Sequence, residues 1–124
     1  MPNGRILVVD DEDSIREYLS MMLEREGYDV ESTADGKKAA KLCQKSEFDV
    51  IVTDIQLPGM SGIEFLSALR ESDPNVPVII VTGHASQESA IEALNLGAFY
   101  YLLKPVSNEE LKHVVRNALE MHRL

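Results

Sequence analysis

The sequence predicts a doubly wound α/β domain, (βα)5, whose five-stranded parallel sheet runs in the order 2-1-3-4-5. Three observations lead there. Strand-like and helix-like segments alternate five times along 124 residues, and strict βαβ alternation implies parallel strands joined by right-handed crossovers. Ile6-Leu7-Val8-Val9, Val50-Ile51-Val52-Thr53 and Val78-Ile79-Ile80-Val81 are continuous apolar runs rich in β-branched residues, as in strands covered on both faces. Tyr28-Asp29-Val30-Glu31-Ser32-Thr33 instead alternates polar and apolar residues, which suits a sheet edge. Phe99-Tyr100-Tyr101-Leu102-Leu103 supplies a fifth, apolar strand.

Between the strands lie amphipathic helices. Ile15, Tyr18, Leu19, Met22 and Leu23 form one apolar stripe, with Gly27 as its stop. Ala39, Ala40 and Cys43 mark the buried side of a helix opened by Asp35-Gly36, and Ile63, Phe65, Leu66 and Leu69 mark the next, ended by Pro74. The fourth helix carries Ala90, Ile91 and Leu94 and ends near Gly97. The fifth opens on Ser107 and Glu110, spaced as a capping box, and presents Leu111, Val114, Val115, Ala118 and Leu119. With no linker, repeat or low-complexity segment, residues 1–124 read as one domain.

Composition bounds the function. Twelve basic against 21 acidic residues give a net charge of −9, so direct nucleic-acid contact is not expected. No apolar run approaches the roughly 20 residues that span a bilayer, and Met1-Pro2-Asn3-Gly4-Arg5 opens no signal peptide. One cysteine, Cys43, forms no internal disulfide and reads as a small core hydrophobe in a reducing compartment. The expected localisation is cytoplasmic.

In this topology a site is expected at the carboxyl ends of strands 1 and 3, where the winding reverses. Strand 1 ends in Asp10-Asp11, followed by Glu12-Asp13, and strand 3 ends in Asp54. Strand 4 ends in Thr82-Gly83, and strand 5 in Lys104-Pro105. Two like charges about 4 Å apart repel by roughly 4 kcal/mol at an effective dielectric near 20. Lys104 offsets part of this, but three clustered carboxylates call for a further cation. Oxygen ligands without His or Cys favour a hard ion, Mg²⁺ first and Mn²⁺ or Ca²⁺ next. A carboxylate beside such an ion is suited to attack phosphorus, in a transition state stabilised mainly by positioning and cationic charge.

Four segments carry a resemblance: Val8-Val9-Asp10-Asp11-Glu12, the stretch from Val52-Thr53-Asp54 through Leu57-Pro58-Gly59-Met60-Ser61-Gly62, Val81-Thr82-Gly83, and Tyr101-Leu102-Leu103-Lys104-Pro105. In order and spacing they resemble the signatures of response-regulator receiver domains, over essentially the whole chain. The phrasing around Leu57–Gly62 and Gly97-Ala98-Phe99 is similar to receivers of nitrogen-regulator-like enhancer-binding activators. The resemblance implies a flavodoxin-like fold and a phosphoacceptor signalling domain in a two-component or phosphorelay system. Such a domain catalyses its own phosphorylation and slow autodephosphorylation.

Asp54 would be the phosphoacceptor, assisted by Lys104 and Thr82. Asp10, Asp11, Asp54 and the Gln56 carbonyl would hold Mg²⁺. Thr82 and Tyr101 would be the switch pair, and the Lys104–Pro105 bond would be cis. The implied partners are a sensor histidine kinase or histidine phosphotransfer protein, and a second copy of the chain when phosphorylated. The fourth helix, fifth strand and fifth helix would carry the response. Tyr100 and Leu103 replace the Asp and Pro of many relatives on that face, which touches partner choice rather than chemistry. The end at His122-Arg123-Leu124 suggests a receiver excised from a longer regulator, with a free-standing module as the alternative.

Plainer readings stand beside these. Asp10, Asp11 and Asp13 suit a helix N-terminus, and for Asp13 that reading is preferred. On residues alone Tyr101 is equally a packing aromatic, and Thr82 ends a strand. His113 and His122 read as solvated helix residues. Gln56 and His84, each two positions beyond a strand end, either flank the water that hydrolyses an aspartyl phosphate or face solvent. An FMN carrier of the same topology would need a glycine- and hydroxyl-rich loop where Asp10–Asp13 stand, and an aspartate-nucleophile phosphatase a second acid where Gln56 stands.

Overall fold

The computed structural model describes residues 4–83 and 87–123. Ten elements alternate: β1 (Arg5–Val9), α1 (Asp13–Arg25), β2 (Asp29–Thr33), α2 (Gly36–Lys45), β3 (Val50–Thr53), α3 (Gly62–Ser72), β4 (Val78–Thr82), α4 (Gln87–Asn95), β5 (Tyr100–Leu103) and α5 (Asn108–Arg123). The five strands form one parallel sheet in the order β2-β1-β3-β4-β5, as the alternation predicts.

Successive strand residues face opposite sides, so the sheet builds two cores. Ile6, Val8, Val50, Val52, Ile79 and Val81 meet Leu19, Leu23, Leu111 and Val115 on the α1/α5 side. Leu7, Val9, Ile51, Val78 and Ile80 meet Ala39, Phe65, Leu66, Leu69 and Ala93 on the α2/α3/α4 side. β1, β3 and β4 are therefore covered on both faces, while β2, with Asp29 and Ser32 exposed and no residue fully buried, is an edge. α1 stops as expected: Gly27, at φ +94°, donates its amide to the Glu24 carbonyl, a conformation that favours glycine.

β5 forms the other edge of the sheet, and Tyr100 and Leu103 are exposed there. Three expectations need correction. The apolar stripe of α4 faces outward at Ile91 and Leu94 (50% and 61% exposed), and the small Ala93 is the buried contact. On α1, Leu19, Met22 and Leu23 are buried, but Tyr18 lies on the rim. Asp13 does not cap α1 with a hydrogen bond. It is the first helical residue and pairs with Arg16, while Glu12 at the cap position supplies no side-chain bond.

Loops are tied by side chains as well. Arg70, near the end of α3, donates to the carbonyls of Asp73, Val76, Leu96 and Gly97 at 2.7–3.3 Å. One guanidinium thus fastens the α3–β4 and α4–β5 connections together. Burial holds the Arg70 pKa below its ordinary value, against the opposing pull of Asp73. Ser107 accepts from the Glu110 amide at 3.1 Å as predicted. A complete capping box, which the sequence reading passed over, opens α3 at Ser61 and Glu64. Cys43 is only half-buried, yet burial and then Asp73 push its thiol up to about 11.

Candidate functional site

The site is assembled by continuing the β-ladder past the strand ends. The Asp10 amide donates to the Thr33 carbonyl at 3.1 Å and the Asp54 amide to the Val9 carbonyl at 3.0 Å. Asp10 and Asp54 are thereby held at adjacent strand termini. The Lys104 amide donates to the Thr82 carbonyl at 3.0 Å, which places the lysine at the same sheet edge from β5. Sequence order alone separates these residues widely; strand order brings them together.

The side chains then converge. Lys104 Nζ lies 2.8 Å from Asp10 Oδ2 and 2.8 Å from Asp54 Oδ2, with Glu12 Oε1 at 3.9 Å. The remaining oxygens are oriented by backbone: Asp10 Oδ1 accepts from the Glu12 amide at 2.9 Å, and Asp54 Oδ1 from the Gln56 amide at 3.1 Å. Asp10 and Asp54 are 1% and 3% exposed, whereas Asp11 faces solvent. Asp10, Asp11 and Asp54 each offer a carboxylate oxygen, all within 4.8 Å of one another. This donor set, all oxygen and mostly anionic, fits a hard divalent cation such as Mg²⁺.

The two ends of the Asp10–Lys104 pair are perturbed in ways that do not simply mirror each other. Burial raises the Asp10 pKa despite the Lys104 hydrogen bond, the Glu12 amide and the lysine's charge, and the Asp54 charge adds to the rise. Burial also disfavours the Lys104 ammonium, but its hydrogen bonds and charge interactions with Asp10 and Asp54 more than offset this, and its pKa lies above the ordinary lysine value. We take Lys104 as protonated, since two partners favour its charge. Asp10 is the group left short of compensation, one cation being shared by two buried acids.

Of the remaining expected residues, Thr82 is fully buried at the end of β4, beside the strand that carries Asp54. Tyr101 is half-buried on β5, and its hydroxyl lies 3.0 Å from Ser89 Oγ of α4. Gln56 is exposed and contributes its amide to Asp54. The Lys104–Pro105 peptide is cis. His84 lies outside the described residues. A cleft of about 720 Å³ opens at the opposite end of the sheet beside Phe48, Leu69 and Val76. A site for a metal ion and a small anion needs converging charge rather than a deep cavity, so the acidic edge is the stronger candidate.

Two neighbours escaped the sequence reading. Arg16 reaches back from α1 to the Asp10 carbonyl; its signal was the acid three residues earlier, Asp13, a helix-pair spacing. Gly62 lies against the backbone of Asp54: a Cβ there would stand 2.1 Å from the Asp54 carbonyl oxygen and 2.7 Å from Ile55 Cα. The Gly62 amide also donates to the Ile55 carbonyl at 2.6 Å. The loop after β3 closes tightly because this residue has no side chain.

Comparison with known proteins decides the family. Residues 6–116 match the response regulator receiver domain family. The chain belongs to that family. The receiver is 38% identical over 121 residues to the regulatory protein AtoC of Escherichia coli, covering 98% of this chain and 26% of AtoC. It thus spans about a quarter of that relative's length. A receiver domain protein (CheY-like) of Methanospirillum hungatei superposes with a TM-score of 0.94 at 35% identity, over 96% of this chain and 95% of that one. The beryllofluoride-activated NtrC4 receiver domain dimer gives a TM-score of 0.90 at 38% identity, over 95% and 98% of the two chains. Among the relatives are NtrX-like response regulators of Rickettsia, in line with the expected kinship to nitrogen-regulator-like activators. No helix among the described residues is long and apolar enough to cross a membrane.

The close packing at Gly62 makes a prediction about the receiver's site. Gly62→Ala should lower stability by about 2 kcal/mol or more, the range of strained or overpacked substitutions. It should also shift the amide resonances of Asp54 and Ile55. A melting temperature and spectrum equal to the parent's would show that the loop after β3 relaxes freely.

Proposed function

We propose that Asp54 accepts a phosphoryl group from a phosphohistidine on a sensor histidine kinase or histidine phosphotransfer protein. The observation that carries this reading is the 2.8 Å approach of Lys104 to both buried acids, which leaves a cation ready beside the Asp54 carboxylate. One Asp54 oxygen bonds to phosphorus, the phosphorus–nitrogen bond to the donor imidazole breaks, and that imidazole, already protonated at its other nitrogen, leaves as the neutral ring. Three equatorial oxygens carry the transferring charge. Lys104 turns its ammonium onto one of them, and the Thr82 hydroxyl and backbone amides serve others. Asp10, Asp11, Asp54 and the Gln56 carbonyl would hold Mg²⁺, with Mn²⁺ a substitute, and the ion would supply positive charge against the negative charge that develops in the transfer. Gln56, exposed beside Asp54, flanks the approach of the water that later hydrolyses the acyl phosphate.

The same reading assigns the output face. Lys104 directly follows β5, and Tyr101 on β5 meets Ser89 on α4, so a change at Asp54 has a short mechanical route to both elements. That face carries exposed Ile91, Leu94, Tyr100 and Leu103, an apolar surface suited to phosphorylation-dependent pairing with an output domain or a second copy. The NtrC4 receiver, described as a beryllofluoride-activated dimer, offers an analogy. With a net charge of −9, this domain leaves any contact with DNA to another one.

Two measurements test the proposal. Acetyl phosphate with Mg²⁺ should add one base-labile phosphoryl group to the parent and none to Asp54→Asn, read by intact mass. An undiminished gain in that variant would move the acceptor elsewhere. Hydrogen exchange with and without a beryllofluoride phosphoryl mimic should change most across α4, β5 and α5. Changes confined to α1 and α2 would exclude this route.

A further inference from the structure

Every polar atom of Asp10 is engaged. Its amide donates to Thr33, Oδ1 accepts from the Glu12 amide and Oδ2 meets Lys104. Its main-chain carbonyl accepts from Arg16 Nη1 at 2.9 Å. The other fork of the same guanidinium, Nη2, lies 2.6 Å from Asp13 Oδ1. Helical side chains lean toward the helix N-terminus, and Arg16, in the first turn of α1, therefore reaches back over the turn that joins β1 to α1. Its side chain is 20% exposed and the bond to Asp10 is part-buried.

Asp11 is held quite differently. It is exposed, and its carboxylate has no hydrogen bond or ion pair among the described residues. What aims it is its backbone. The Asp10 carbonyl and the Asp11 amide belong to one rigid peptide plane, so a donor fixed on that carbonyl fixes the N–Cα bond of Asp11, from which the side chain departs.

We propose that Arg16 is a positioning residue of the divalent-metal site. By anchoring the Asp10 carbonyl it orients the Asp10–Asp11 peptide and presents the Asp11 carboxylate to the ion shared with Asp10 and Asp54. The inference rests on the metal-site reading given above. Its alternative is that Arg16 merely pairs with Asp13 on the helix surface.

Charge and geometry pull Mg²⁺ affinity in opposite directions, which makes the test decisive in sign. A guanidinium bonded to the Asp10 carbonyl competes electrostatically with a cation at the same edge, so removing it tightens binding if charge alone matters. If orientation matters more, removing it weakens binding, and loss of an outer-shell partner typically costs about 10- to 100-fold in metal affinity. Mg²⁺ binding to the full chain is measured by calorimetry for the parent, Arg16→Met, Arg16→Lys, Asp13→Asn and Asp11→Asn. A metal-free melt of each variant confirms folding. The expected pattern is about tenfold weaker binding in Arg16→Met and partial recovery in Arg16→Lys, whose ammonium still has a single bond for the carbonyl. Asp13→Asn should stay close to the parent. The Asp11 amide resonance of the metal-free protein should move in Arg16→Met and far less in Asp13→Asn. Unchanged or tighter Mg²⁺ binding in Arg16→Met, with binding lost in Asp11→Asn, overturns this proposal alone. A parent that binds no Mg²⁺, with Asp11→Asn indistinguishable from it, overturns the metal-site reading and this inference together.

Discussion

A single ammonium shared between two buried carboxylates is the constraint around which this receiver is organised. Asp10 and Asp54 sit at the ends of neighbouring strands because the sheet runs β2-β1-β3-β4-β5. Lys104 comes from β5, two strands beyond β3, and must reach across the end of β4 to meet them. Four crossovers must therefore be correct before the pair of 2.8 Å contacts can exist. The two apolar layers hold those strand ends in place, with Val8, Val52 and Ile79 on one side and Val9, Ile51 and Ile80 on the other. The core is in this sense the scaffold of a charge arrangement.

That arrangement is under-compensated, and the imbalance is where function enters. A carboxyl whose folded pKa exceeds its unfolded value binds protons more readily in the folded state. It therefore detracts from stability above its folded pKa and ceases to do so as pH falls through it. Asp10, lifted by burial, is such a group. Solvated Asp11 adds a third negative charge without a partner of its own among the described residues. An edge built this way has the donor set of a hard divalent-cation site, at some cost to the metal-free fold. Perturbed groups of this kind gather at functional sites.

The sequence was legible where a pattern is repeated or local. Strand order followed from three apolar runs and one alternating one, and the acids at strand ends could be named because topology dictates which termini meet. The exposed side of α4 was not legible: Ile91 and Leu94 have helical core spacing, and only the packing of Ala93 beneath them shows that the stripe turns outward. Arg16 and Arg70 act on main-chain carbonyls, and a carbonyl leaves no trace in residue type. Gly62 could be quoted as part of a motif, but its reason, a backbone approach with no room for a Cβ, needs three dimensions. Asp13 failed as a cap because the helix begins one residue earlier than an Asp cap there requires.

The most direct test of the central claim is Mg²⁺ binding and metal-free stability of Lys104→Met. If Lys104 is the resident counter-charge of Asp10 and Asp54, the variant without divalent ions should lose stability, because two buried carboxylates are left unpaired. Added Mg²⁺ should then restore the melting temperature and bind more tightly than in the parent, the competing ammonium being gone. A variant with the parent's metal-free stability and the parent's or weaker Mg²⁺ affinity would contradict the account.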